Sequence, residues 1–261
     1  MFDFHMHTTV SYDGHGTAEE MIAAAKAAGL REICFTDHLD YELVKPREQT
    51  AFRVEAYNAA YDGLQPEGIT VRNGVEVGLT PWNAEEVKHD LSLRHYDFVL
   101  GSVHFIGEYD PYLPPFWVGK TVEQAEKLYF EEMLKALQCH DDFDVLGHLT
   151  YIGKTRANPS PRPVPFDDYR DTIAEIMKLL IAKDKGMEVN TSGIDRVGDF
   201  LPGERYLRLF KDLGGKIVTT GSDAHSPNRV GQHIGRADAM LKEIFGYVCT
   251  FRDRQPVFHK L

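Results

Sequence analysis

Six short apolar runs spread along the chain each end in histidine, aspartate or glutamate. "FDFHMH" ends with His5 and His7, "ICFTDH" with Asp37 and His38, and "VRNGVE" with Glu76. "FVLGSVH" ends with His104, "DVLGH" with His148, and "IVTTGSDAH" with Asp223 and His225. Short, continuous apolar runs suit strands buried on both faces of a parallel sheet. If those strands form a (β/α) barrel, their carboxyl ends converge on one face, the face on which active sites are built. Residues scattered from 5 to 225 then meet in one pocket. Packing alone does not account for the pattern, because buried polar groups without partners cost free energy. A shared metal cluster would satisfy all of them at once.

The intervening segments support this architecture. "TAEEMIAAAKAAGL" reads as a helix with Thr17 as N-cap, Glu20 completing a capping box and Gly29 as the stop. Further helices are predicted near residues 47–62, 83–93, 121–138, 166–185, 203–213 and 233–245, with "ITVRNGVEV", "GMEVNTS" and "GYVCTF" among the strand candidates. The alternation implies βα units around a parallel sheet. No composition break divides the 261 residues, so one domain over 1–261 is expected. The Pro-rich stretch "NPSPRPVPF" at 158–166 is expected as a lid or substrate loop rather than a domain boundary.

Composition excludes several classes. Hydrophobic residues make up 43% and charged residues 26%, which argues against disorder, and no apolar run approaches the roughly 20 residues of a membrane helix. The opening residues lack the pattern of a secretory signal, so a cytoplasmic protein is expected. Cys34, Cys139 and Cys249 are far apart and form no C-x-x-C pair, which leaves them as core fillers rather than a disulfide or thiolate-zinc framework. A net charge of −11 disfavours nucleic acid as the partner.

Imidazole and carboxylate without thiolate suit Zn²⁺, Mn²⁺ or Fe²⁺. The candidates outnumber the ligands of one tetrahedral ion, so a multinuclear site is the economical reading. His5 and His7 stand two apart on a strand and point the same way. His89, His95, His140, His233 and His259 lie in predicted helices, loops or the tail and are read as ordinary polar residues.

The motifs "HMHTTVSYDG", "FTDH", "GVEVG", "GSVH", "VLGH" and "GSDAHSP" run in one order from residue 5 to 227, and in that order they resemble the polymerase and histidinol phosphatase (PHP) superfamily of metal-dependent phosphoesterases. "FDVLGHLTYI", "GMEVNTSG" and "KIVTTGSDAHSP" look like its short monofunctional histidinol-phosphatase branch. The resemblance implies an α/β fold, a distorted (β/α)7 TIM-like barrel, with up to three divalent metals at the carboxyl face. By motif, His5, His7, Glu76 and Asp223 would hold the first ion. Glu76 would bridge to a second ion held with His104 and His148. Asp13, His38 and His225 would hold a third, with Asp13 preferred over His15, which falls two residues later.

The implied activity is hydrolysis of L-histidinol phosphate to L-histidinol and phosphate, with a hydroxide bridging the metals as nucleophile. Asp223 would orient it, and His225 or a metal-bound water would help protonate the leaving alcohol. Arginine suits bidentate phosphate contact; Arg156 is preferred, with Arg196 and Arg229 as the other candidates. Asp40, Glu42 and Asn190 are expected to meet a cationic amino alcohol. The alternatives are a PHP phosphoesterase acting on a nucleoside phosphate, oligonucleotide or phosphotyrosine, and a non-catalytic metal-binding module.

Overall fold

Alternating apolar runs and amphipathic helices become the staves and outer layer of a barrel in the computed structural model, which describes residues 1–41 and 50–261. The staves and helices run in the order β1 (Phe2–Asp3), α1 (Ala18–Ala27), β2 (Glu32–Phe35), β3 (His38–Leu39), α2 (Val54–Tyr61), β4 (Thr70–Gly78), α3 (Ala84–Ser92) and β5 (Phe98–Ser102). After the short α4 (Pro114–Trp117) come α5 (Val122–Cys139), β6 (Val145–Leu146), α6 (Phe166–Ala182) and β7 (Gly186–Asn190). The chain ends with α7 (Ile194–Val197), α8 (Glu204–Asp212), β8 (Val218–Gly221), α9 (Ile234–Ile244), β9 (Tyr247–Arg252) and β10 (Gln255–Lys260). The helix expected from residue 47 begins outside the described residues and is seen over Val54–Tyr61.

The parallel sheet has the order β1-β2-β4-β5-β6-β7-β8, with β3 also paired to β4. Phe35 pairs with Asn73 and His38 with Glu76, so β2 and β3 keep one register along β4 and act as a single stave interrupted at Thr36 and Asp37. Seven staves result. The first meets the last: Phe4 N–H donates to Thr220 O at 2.9 Å, Asp223 N–H to His5 O at 2.8 Å and His7 N–H to Ala224 O at 2.8 Å. These bonds close the barrel.

The capping box read from Thr17 and Glu20 is formed, and Thr121 with Gln124 builds a second one at the start of α5. The helices turn Met21, Ile22, Tyr129, Phe130, Ile173, Met177, Leu207 and Phe210 onto the outside of the staves, while Phe4, Phe35, Leu100 and Val189 are also fully buried. No described helix is long and apolar enough to cross a membrane.

"GYVCTF" is not a further parallel stave. It pairs antiparallel with β10 around a two-residue turn, Asp253-Arg254, in which both residues take positive φ. Phe251 packs 5.0 Å from Phe98 and His259 4.3 Å from Phe2, while Arg254 Nε reaches Asp144 at 2.5 Å. Those partners lie at the amino-terminal ends of the staves, so the hairpin covers the end of the barrel opposite the polar strand ends. Cys34 and Cys249 are buried as expected; Cys139 is exposed at the end of α5.

Candidate metal centre

The polar strand ends converge. His5 Nε2 lies 3.1 Å from His7 Nε2, 3.2 Å from Glu76 Oε2 and 3.5 Å from Asp223 Oδ1. His7 Nε2 lies 3.4 Å from that Glu76 oxygen and 3.5 Å from that Asp223 oxygen. A tetrahedral ion with bonds of about 2.0–2.1 Å needs ligand atoms roughly 3.3 Å apart. Each imidazole nitrogen meets that spacing with the other and with both carboxylate oxygens.

The other Glu76 oxygen serves a second group. Oε1 is 2.9 Å from His148 Nε2 and 3.3 Å from His104 Nε2, and the two imidazole nitrogens are 3.3 Å apart. Ser102 donates to the same oxygen at 2.6 Å. A third group is looser: Asp13 Oδ2 is 3.2 Å from His225 Nε2, and Asp13 Oδ1 is 3.8 Å from His38 Nε2. The His225 and His38 rings flank His7 at 4.1 and 4.3 Å.

Two of these atoms, Asp13 Oδ1 and Glu76 Oε2, are buried without a hydrogen bond from the described residues. Orphaned polar atoms aimed at common points fit a set of divalent cations. Electrostatics agree. Burial opposes charge on Glu76, yet the imidazoles of His5, His104 and His38 hold its carboxyl well below the usual range. Burial also opposes charge on His5, and Glu188, Glu76 and Asp223 outweigh it and push the imidazole up. His7 is driven well down by burial and by His225 and His38, and His148 is lowered by burial. Carboxylates that would otherwise hold protons on imidazoles can hold metal cations in their place.

The ligand rings are oriented from behind. Glu188 Oε1 lies 2.7 Å from His5 Nδ1, and its Oε2 accepts from His148 N–H at 2.8 Å. Gly221 makes room, because a Cβ there would overlap both Glu188 Oε1 and the His5 Cβ. Ser11 Oγ lies 3.1 Å from His7 Nδ1 and accepts from His38 N–H at 3.0 Å. Fixing one ring nitrogen in this way presents the other to a metal.

Asp13 and His38 meet at the third group, whereas His15 is exposed and sits on the cavity wall without joining it. Asp37 does not reach the cluster. Its carboxylate accepts from Thr8 N–H at 2.8 Å and Ser11 Oγ at 2.8 Å and takes a short hydrogen bond from Tyr61, fixing the loop that carries Asp13. Asn190 is buried against Glu188 and its side-chain oxygen accepts from Ser192 N–H, and Asp40 is buried against His104, so both are withdrawn from a substrate role. Glu42 lies outside the described residues.

The three candidate arginines do not line the cavity above the cluster. Arg156 is exposed, Arg196 donates to the backbone oxygens of Thr155 and Arg156, and Arg229 pairs with Asp195 at 2.8 Å. Among the described residues, Lys154 is the cation on the wall of the cavity of about 750 Å³ above the cluster, with Nζ 2.7 Å from Asp223 Oδ2 and 2.5 Å from Ser192 Oγ. A tight turn over Tyr151–Gly153 carries it inward. The 158–166 stretch contributes nothing to that cavity; its Arg162 instead makes a bidentate pair with the buried Glu126.

Glu188 and Lys154 were not evident as candidates from the strand-end pattern. A glutamate inside the otherwise apolar five-residue run of β7 was the available signal for the first, since a buried charge demands a partner.

Residues 3–192 match the PHP domain family. The chain belongs to the PHP family. This PHP protein is 30% identical to the histidinol-phosphatase of Lactococcus lactis, over 95% of this chain and 93% of the relative. It is likewise 30% identical to the probable histidinol-phosphatase of Thermotoga maritima, over 94% and 91%. The crystal structure of the Lactococcus lactis histidinol phosphate phosphatase, complexed with zinc, L-histidinol and phosphate, superposes with a TM-score of 0.85 at 27% identity, covering 98% of both chains.

Proposed function

We propose that this PHP protein is a metal-dependent phosphomonoesterase that hydrolyses L-histidinol phosphate to L-histidinol and phosphate. The observation that carries the reading is the pair of donor groups joined through the two oxygens of Glu76, at the floor of a cavity that also presents Lys154. Likeness over nearly the whole length to an enzyme complexed with zinc, L-histidinol and phosphate supports the substrate.

His5, His7, Glu76 and Asp223 would hold one ion; Glu76, His104 and His148 a second; Asp13, His38 and His225 a third. Zinc, manganese or iron would, when bound, neutralise phosphoryl charge and make water a stronger nucleophile near neutral pH.

The side chains supply the rest. Lys154 offers an ammonium to the phosphoryl oxygens, exchanging its present bond to Asp223 for one to the substrate. Ser192 beside it adds a hydroxyl. Asp223 has one oxygen among the imidazoles and one toward Lys154, which suits it to orient the attacking water and the phosphate together. His225 Nε2 faces Asp13 within the third group, so His225 would act there as a ligand rather than as the proton donor to the departing alkoxide. Phe105, Tyr112, Leu113 and Tyr151 give the cavity apolar and aromatic walls, and Asp110 lends a negative charge, a lining suited to an imidazole-bearing cationic alcohol.

The same reading takes residues 1–261 as one PHP-type barrel domain in the cytoplasm, with a small phosphorylated substrate. The net charge of −11 favours that over an oligonucleotide. Phosphate release from L-histidinol phosphate by zinc- or manganese-loaded protein, beside nucleotide, sugar and aryl phosphates, tests the proposal. A clear preference for L-histidinol phosphate is expected; turnover of the other esters alone would discard the substrate.

A further inference from the structure

Asp40 is a buried carboxylate that the mechanism above leaves unused. Its Oδ1 lies 2.9 Å from His104 Nδ1, and its Oδ2 lies 3.2 Å from His38 Nδ1, which stands equally far from Glu76 Oε2. The opposite faces of those rings look toward different donor groups. His104 Nε2 is 3.3 Å from Glu76 Oε1, within the second group, and His38 Nε2 is 3.8 Å from Asp13 Oδ1, within the third. One carboxylate therefore stands behind a ligand of each.

The backbone is shaped to keep it there. Asp40 N–H donates to Thr50 O at 3.0 Å. Gly78, at the end of β4, lies against the carboxylate so closely that a Cβ would overlap Asp40 Oδ1. A side chain at position 78 and the present position of Asp40 exclude each other.

We propose that Asp40 is a positioning residue that couples occupancy of the second and third metal sites, by fixing the ring nitrogens of His104 and His38 together. This rests on the reading of the cluster as a multinuclear metal centre. A carboxylate behind a ligating imidazole sets its tautomer and raises its basicity. Because the carboxylate is shared, its loss weakens two sites at once. The group holding His5, His7 and Asp223 has its own carboxylate in Glu188, 2.7 Å from His5 Nδ1, so His5 keeps its partner when Asp40 is lost.

The test is stepwise titration of metal-free protein with Zn²⁺ against a chromophoric chelator, with Co²⁺ absorption spectra as an independent readout. In Asp40→Asn, two of the three binding events should weaken by about 10–100-fold each and the third should keep its wild-type affinity. Gly78→Ala should reproduce that pattern while leaving the charge of residue 40 in place, and circular dichroism reports whether each variant is folded. Glu188→Gln should show the complementary pattern, weakening the event that Asp40→Asn spares.

Loss confined to one event, or unchanged affinities at all three in folded Asp40→Asn, overturns the coupling alone. A wild type that binds a single ion overturns the multinuclear reading and the coupling with it.

Discussion

Asp223 takes φ of +55°, a conformation that asparagine tolerates as well as aspartate does. Asp223→Asn therefore removes the charge without straining the turn. It should leave the circular dichroism spectrum unchanged and reduce kcat by at least about 100-fold, at the upper end of what perturbing a metal site costs. Retained turnover in the purified variant would take Asp223 out of the mechanism. Lys154→Ala should behave differently: loss of a charge-assisted hydrogen bond worth about 1.5–3 kcal/mol predicts a fall of roughly 10–100-fold in kcat/KM, carried chiefly by KM. An unchanged KM would return attention to Arg156, Arg196 and Arg229. At this scale most of the clustered donors were legible because they stand at the ends of apolar runs; Asp13 does not, and only the family resemblance pointed to it. The cation proposed to bind phosphate was not legible, because Lys154 and Arg156 share one loop and only the turn at Tyr151–Gly153 decides which faces inward.

His140 follows α5 and fastens it to the loop after β4, with Nε2 2.9 Å from Thr80 O and 3.0 Å from Asn83 Oδ1. Burial, with help from the positive charge of Lys183, lowers its pKa below the ordinary imidazole value despite the bond to Thr80. The unfolded chain, with a pKa of about 6.5 at this residue, then binds the proton more readily than the folded one. The stabilisation from neutral His140 is complete above that pH and is lost as pH falls through the lowered folded value. Urea unfolding midpoints of His140→Gln, which keeps a donor but does not titrate, should accordingly fall less between pH 7.5 and 5.5 than those of the wild type. Equal declines would exclude His140 as a source of the acid sensitivity. Most helices were legible within a few residues because caps such as Thr17–Glu20 mark their ends. The final hairpin was not, because "GYVCTF" has the apolar character of a stave, and only its partner, the polar-flanked β10, distinguishes it.

For the molecule as a whole, the barrel core and the metal cluster draw on different residues. The apolar layer between helices and staves supplies none of the donor atoms, so chelation should abolish hydrolysis while the protein stays folded. Its melting temperature should drop by an amount that grows with the free-metal concentration in the reference sample, as linkage requires. Collapse of the fold on chelation would assign the metals a structural role and revive the non-catalytic reading. The seven-stave architecture was legible from the order of the motifs. Its closure was not, because the bonds that join Phe4, His5 and His7 to Thr220, Asp223 and Ala224 span nearly the full length of the chain. That span has a consequence for biosynthesis. His5 and His7 leave the ribosome long before Asp223, so a nascent chain holds half a cage until β8 has been made. Capture of a metal there would mark a chain synthesised past β8, and one terminated earlier would have no complete site to fill.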